Sequence, residues 1–152
     1  MDKTFVTTEF LKAYNFLNPD PEKVFVSNED GYIGIEYKPC RGLEIDVYVY
    51  DTGCSTGILN LEGEFSRPFL ARHIVRNWYS FSRSVGADFL LISANENWRL
   101  WRIFGFKWLY PQHQGKWGKY LDGIIFGDRE DYYCPMYKLL ENDSLRDSCK
   151  RG

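Results

Sequence analysis

A chain of 152 residues with 44% apolar and 18% aromatic side chains has the size of one ordinary domain and enough core material to exclude disorder over most of its length. Its 19 basic and 21 acidic residues nearly cancel, which argues against nucleic acid or an anionic membrane as the main partner. No apolar run is long enough to span a bilayer or to form a signal peptide, so the sequence predicts a cytoplasmic protein.

The cysteines and histidines form no recognisable metal-binding pattern. Cys40, Cys54, Cys134 and Cys149 are widely spaced, without a CxxC pair, and only two histidines accompany them. We therefore expect buried or free thiols and no metal site.

The first half of the chain is strand-rich after one helix. Thr7 and Thr8, followed by Glu9 and an apolar pattern, predict a capped amphipathic helix that ends before Asn18 and Pro19. Runs of alternating or β-branched residues then predict strands at residues 24–27, 32–37, 43–50 and, more weakly, 55–62. The turn residues at 28–31 and 38–42 indicate hairpins, so an antiparallel meander is expected.

In the second half of the chain the spacing of the apolar residues changes from that of strands to that of a helix. Apolar residues recur at steps of three and four and predict a long helix from about Ser66 to Gly86, with Pro68 in its first turn. The apolar run 89–93 predicts a buried central strand, and either Asn95 or Asn97 is expected to cap a short helix that ends at Gly105. Further strands are expected at 107–110, 124–126 and 132–137.

These elements predict an α/β (α+β) fold with a mixed, largely antiparallel central sheet flanked by helices. The second half contributes the order strand, helix, strand, helix. Neither a repeat nor a linker divides the chain, so we expect one domain over residues 1–141 and a polar tail over residues 142–152.

The stretch GADFLLISANENWRLWRIFGF, residues 86–106, resembles the strand, Asn, short helix and Gly-Phe pattern of the GNAT acetyltransferase superfamily. The order of elements from about residue 24 to residue 140 is similar to that family as well. Small GNAT-like proteins of tailed bacteriophages are similar in size and layout, which would place the protein in the host cytoplasm or the virion.

The resemblance implies that the protein moves an acetyl group from acetyl-CoA to an amine of a small molecule or a protein. A splayed pair of central strands would accept the pantetheine amides, and the pyrophosphate would lie on backbone amides at the start of the long helix, within residues 62–70. The coenzyme-binding residues would then be Arg67, Phe69, Leu70, Arg72, Asn95 and Asn97.

Direct transfer to an amine needs a group that accepts a proton. Asp46, Glu62 and Glu64 lie on or after strands that would line the cleft, and Glu62 is the first choice because it ends the strand that leads into the phosphate loop. The position that matches the family's general-acid Tyr is about Trp101, which has no titratable proton. Tyr110, Tyr132 or Tyr133 would have to replace it, and the sequence does not choose among them.

The phosphate loop of this chain holds one glycine, two acids and a proline where the family pattern is rich in glycine. This departure favours a second hypothesis, a GNAT-fold protein that has lost catalysis and binds a host or virion protein. A third hypothesis is a nucleic-acid-associated module that uses the arginines of the long helix and the lysine- and aromatic-containing segment 113–120. A solvated helix face and a mobile surface loop are the simpler interpretations of those two features.

Overall fold

The protein is built on a seven-stranded mixed sheet with the strand order β1-β2-β3-β4-β5-β7-β6. The structure is a computed structural model, and it describes residues 2–93, 98–122, 124 and 135–140. The strands are β1 (Val24–Glu29), β2 (Tyr32–Cys40), β3 (Leu43–Tyr50), β4 (Cys54–Leu61), β5 (Phe89–Ser93), β6 (Lys107–Trp108) and β7 (Pro135–Leu139). The helices are α1 (Lys3–Ala13), α2 (Pro68–Ser84), α3 (Trp98–Ile103) and α4 (Gly118–Leu121). Short 3-10 turns lie at Asn15–Leu17, Pro21–Lys23, Gly63–Ser66 and Pro111–Trp117.

The predicted fold class is confirmed. All recorded strand pairs are antiparallel except the pair of β4 and β5, which is parallel. The long helix α2 connects these two strands, as a parallel crossover requires. The order β4, α2, β5, α3 is the predicted alternation of strands and helices.

The larger hydrophobic core lies between one face of the sheet and the helices α1, α2 and α3. Successive side chains of a strand point to opposite faces of the sheet, and the residues of β3 alternate strictly between buried and half-buried. The buried ones, Leu43, Ile45, Val47 and Val49, enter this core. Strand β5 is buried on both faces from Phe89 to Ile92, as its unbroken apolar run predicts.

A smaller core lies on the opposite face, over β5 and β7. It is built on Cys54, Phe89 and Leu91 and is covered by Trp117 and Tyr120, whose ring stacks on Phe89 at 4.6 Å. The segment 113–120, interpreted from the sequence as a surface loop, lies at the surface but forms a 3-10 helix and α4. Two aromatic residues three positions apart lie on one side of a helical turn, and they hold this segment against the sheet.

The start of α1 differs from the sequence prediction. Asp2 is the N-cap, and its carboxylate accepts a hydrogen bond from the backbone N–H of Thr4 at 3.0 Å. The hydroxyls of Thr7 and Thr8 instead donate to the carbonyls of Lys3 and Thr4, one turn earlier. Their position inside the helix leaves no free N–H for them to cap.

Other boundaries also shift. Strand β2 continues to Cys40, so the turn to β3 is only Arg41 and Gly42, whose φ is +96°. Strand β6 ends at Trp108, and Ile124 is not part of a strand. The predicted caps Asn95 and Asn97, residues 125–134 and the predicted tail lie outside the described residues. In the part of the chain that the structure describes, no helix has the length and apolar character needed to cross a membrane.

Candidate functional site

An opening between β4 and β5 lies at the middle of the sheet. The two strands pair only at Cys54–Phe89, Ser55–Leu90 and Thr56–Leu91. Beyond Thr56, β4 continues to Leu61, whereas β5 continues to Ser93 paired with β7 alone within the described residues. Among the residues that the structure describes, no backbone pairing therefore joins the second half of β4 to β5.

The helix-side wall of this opening is made by tightly packed aromatic rings. Gly57, the first β4 residue after the paired stretch, lies so close to the indole of Trp78 that an added Cβ would be 3.0 Å from it. The indole N–H of Trp78 donates to the Ser55 hydroxyl at 3.1 Å, and its ring stacks on Phe106. These contacts fix the position of α2 beneath the point where β4 and β5 separate.

The start of α2 lies just beyond the end of β4 and is an open helix N-terminus. Arg67 occupies the N-cap position without a side-chain capping bond, and Pro68 fills the first helical position, where it lacks an N–H. The amides of Phe69 and Leu70 follow, in the turn where helix N–H groups have no intrahelical acceptor. Arg67 and Arg72 are both exposed there. The predicted phosphate-binding residues on this helix are thus brought to one helix end.

Phe69 exposes 78% of its surface, and its ring lies 4.8 Å from that of His73. The ring of Phe16 also lies close to His73, at 5.5 Å between ring centroids. His73 is accordingly half-buried against two aromatic rings.

The sequence prediction missed Arg41. It lines a shallow pocket of about 260 Å³ together with Glu62, Gly63 and Glu64 in the loop before α2. The Glu62 N–H donates to the Gly42 carbonyl at 2.8 Å, which joins this loop to the β2–β3 turn. Because β3 and β4 pair in antiparallel fashion, the turn before β3 must lie next to the loop after β4. The strand register of the meander could therefore have predicted that Arg41 lies near this loop.

Asp46 lies on the exposed face of β3, opposite Glu36 of β2 and Ile58 of β4. Partial burial, followed by the negative charges of Glu44 and Glu36, raises the pKa of Asp46 from 3.8 to about 6, against an opposing effect of Lys38. Its cross-strand neighbour Ile58 directly follows Gly57, where β4 separates from β5. Asp46 is therefore a carboxyl of raised pKa that lies one strand away from the point where the pairing of β4 with β5 ends.

Glu62 and Tyr110, the other two predicted catalytic residues, lie farther than Asp46 from the point where β4 and β5 stop pairing. Glu62 is exposed and lies past the end of β4, five residues from Gly57, which corresponds to about 17 Å of extended chain. Tyr110 follows β6 and is 44% exposed, with its ring against His113. Because β7 and β5 lie between β6 and β4, the sheet order separates Tyr110 from Asp46.

Trp101 has a structural role. It is 6% exposed and packs edge-on against Trp78 and Phe106. The predicted residues Asn95, Asn97, Tyr132 and Tyr133 lie outside the described residues.

Among the described residues, no group of three or more His, Cys, Asp or Glu side chains is arranged to hold a metal ion. Cys40 is an exposed free thiol, and Cys54 is a buried one whose pKa is raised to about 12 by burial and, less strongly, by the charge of Asp88. No protein-family model matches the chain, and no curated protein sequence matches it significantly.

Proposed function

We propose that the protein is a GNAT-like N-acetyltransferase that moves an acetyl group from acetyl-CoA to an amine. The observation that carries the proposal is the unpaired opening between β4 and β5 next to the uncapped start of α2. Free backbone groups on residues 57–61 of β4 are suited to the amides of a pantetheine arm, which would bind as an added strand does. The single parallel pair at the centre of a largely antiparallel sheet agrees with the family resemblance.

The pyrophosphate would lie at the start of α2. There the amides of Phe69 and Leu70 and the helix dipole favour an anion, and Arg67 and Arg72 add positive charge. Arg41, in the neighbouring turn, offsets part of the negative charge of Glu62 and Glu64. The acetyl end of the coenzyme would then lie deep in the opening, near Gly57.

The base in this proposal is Asp46. It takes a proton from the acceptor ammonium, and the neutral nitrogen attacks the thioester carbonyl carbon, so that a C–N bond forms. The C–S bond breaks, the attacking nitrogen releases its second proton as the amide forms, and the departing coenzyme thiolate takes up that proton, directly or through water. Asp46 is preferred to Glu62 because it lies beside the start of the opening, whereas Glu62 lies at the phosphate end.

Titration of acetyl-CoA into the protein tests the coenzyme site. We expect micromolar binding to the wild type and binding at least about tenfold weaker in the double variant R67E/R72E, because each charge-assisted contact is worth roughly 1.5–3 kcal/mol. The control K3E/R76E reverses two charges on α1 and in the middle of α2 and should bind normally. If the wild type fails to bind at millimolar coenzyme, the acetyltransferase proposal is wrong.

A second candidate function is a protein-binding component of the same fold without catalysis. It is favoured by the two acids at the phosphate end and by buried Trp101 at the position of the family's Tyr. In that case acetyl-CoA leaves the melting temperature unchanged, since only a ligand that binds the folded state raises it.

A further inference from the structure

A second cleft, of about 470 Å³, lies at the end of the sheet where the β1–β2 turn and the β3–β4 turn meet. It is on the face of β2 and β3 opposite the larger core. Its walls hold three tyrosines, Tyr32, Tyr48 and Tyr50, and three aspartates, Asp30, Asp51 and Asp122.

Two hydrogen bonds assemble this cleft from distant segments. The N–H of Asp51 donates to the Gly31 carbonyl at 2.9 Å, which holds the two turns side by side and brings Asp30 close to Asp51. The Thr52 hydroxyl donates to the Tyr120 carbonyl at 3.2 Å, which ties the end of α4, and with it Asp122, to the same rim.

The tyrosine rings form a continuous aromatic wall. The ring of Tyr32 lies 5.4 Å from that of Tyr50 and 6.0 Å from that of Tyr48, at interplanar angles of 39° and 67°. Tyr48 lies flat on β2 because its cross-strand partner is Gly34, where an added Cβ would be 2.9 Å from the ring. All three tyrosines are half-buried, so part of each ring remains available to a ligand.

The cleft also has an uncompensated charge. Within the described residues its lining contains three aspartates and no lysine, arginine or histidine. Carboxylates attract any cation, but aromatic faces favour an organic ammonium over a metal ion, because the ring quadrupole attracts its charge and the ring surface contacts its alkyl chain. A hydrated divalent metal gains nothing from the rings.

We propose that this cleft binds the alkylammonium group of a small polyamine, held between the tyrosine faces and the carboxylates of Asp30 and Asp51. Asp46 lies two residues from Tyr48 on the same face of β3, a step of about 7 Å along the strand. A polyamine anchored here therefore extends a second nitrogen toward Asp46. Cation binding stands without the acetyl transfer proposed above, whereas the role of the cleft as the acceptor subsite rests on it.

Titration with spermidine, followed by calorimetry and by NMR, tests the proposal in the absence of coenzyme. We expect saturable binding, with chemical-shift changes concentrated at Tyr32, Tyr48 and Tyr50. The isosteric double variant D30N/D51N should bind at least about tenfold more weakly, since charge-assisted contacts are lost. The control E9Q/E22Q removes the same charge from the N-terminal segment and should bind as the wild type does.

Absence of binding at millimolar spermidine, or equal weakening in both double variants, would overturn the proposal. Competition separates an aromatic cation site from simple ion attraction. Tetramethylammonium should displace spermidine at lower concentration than sodium at equal ionic strength, and equal displacement by the two salts would refute the role of the rings.

The two proposals fail separately. If the protein binds spermidine but not acetyl-CoA, the cation-binding proposal stands and the acetyltransferase proposal is wrong. Acetyl-CoA binding without spermidine binding would retain the coenzyme site and overturn this inference.

Discussion

Asp46 and Glu36 face each other directly across the ladder of β2 and β3, so that two carboxylates occupy adjoining positions on the exposed face of the sheet. Like charges at directly opposed positions destabilise an antiparallel pair. Partial burial raises the pKa of Asp46 to about 6, and the negative charges of Glu44 and then of Glu36 add to this effect. Such a destabilising pair has two measurable consequences.

The first is a dependence of stability on pH. Because the folded-state pKa of Asp46 is above its ordinary value of 3.8, the folded protein holds the proton more tightly than the unfolded chain. Below about pH 3 the effect vanishes because Asp46 is protonated in both states, and stability falls as the pH rises from there toward about 6. The variant D46N should therefore be more stable than the wild type at pH 7, by about 1 kcal/mol after allowance for solvent screening, and equal to it at about pH 3. Urea unfolding at both pH values measures this; a destabilised D46N at pH 7 would contradict it.

The second concerns activity. If Asp46 accepts the proton from the acceptor amine, the acetylation rate under subsaturating substrate should rise through about pH 6 as its carboxyl ionises. D46N should retain acetyl-CoA binding and lose about 10²–10⁴-fold in rate. The variant E62Q, altered at the phosphate end, tests the competing assignment of the base. A larger loss of rate in E62Q than in D46N would reverse the two roles.

The close approach of Gly57 to Trp78 predicts a local sensitivity to side-chain size. In G57A the new Cβ would be 3.0 Å from the indole, so either the strand or α2 must shift. Overpacking of this kind costs about 1–3 kcal/mol. Gly115 has open space around it and an ordinary φ, so G115A is the matched control and should be neutral or slightly stabilising. Thermal unfolding measures the melting temperatures of G57A and G115A. Equal values would show that the packing around Gly57 accommodates an added methyl group.

Periodicity was sufficient to predict most of the architecture. The strand predicted at 43–50, the buried strand predicted from the apolar run 89–93 and the long helix predicted from the three-and-four spacing are all present in the structure. The cap of α1 was mispredicted because threonines are good caps and also tolerated inside a helix, where they bond backward.

The site was less accessible to sequence reasoning. Arg41 and the tyrosine and aspartate cleft depend on which turns become neighbours, and this follows from strand register and from single hydrogen bonds such as that between Asp51 and Gly31. The sequence presents Asp30, Asp51 and Asp122 as ordinary turn residues. Only tertiary contacts bring them to one cleft.

The true cap of α1 can be established by substitution. D2A removes the acceptor for the Thr4 amide and should lower the free energy of unfolding by about 1 kcal/mol. T8A removes only a hydroxyl that bonds to a carbonyl already used by the helix, so it should be neutral. Chemical denaturation measures the free energy of unfolding of both variants. A larger loss in T8A than in D2A would show that the threonine, and not Asp2, caps the helix.

A buried cluster of two hydroxyls and an indole gives the last prediction. The Ser55 hydroxyl, fully buried, accepts from the Trp78 N–H at 3.1 Å and from the Ser82 hydroxyl at 3.0 Å. S55A leaves the Trp78 N–H without this acceptor in the core, and an unsatisfied buried donor costs about 1–3 kcal/mol. S82A removes a second donor and leaves the bond between Ser55 and Trp78 intact, so its cost should be smaller.

The two substitutions should also be coupled. In S55A the partner of Ser82 is already absent, so adding S82A should cost less than it does alone, and the double variant should be more stable than additivity predicts. Urea unfolding of the three variants, followed by circular dichroism, measures each free energy. If the protein binds acetyl-CoA as proposed, S55A should also weaken that binding more than S82A does, because Trp78 packs against Gly57 where the pairing of β4 with β5 ends. Equal destabilisation by the two single variants, with strict additivity in the double, would show that Ser55 is not the shared acceptor.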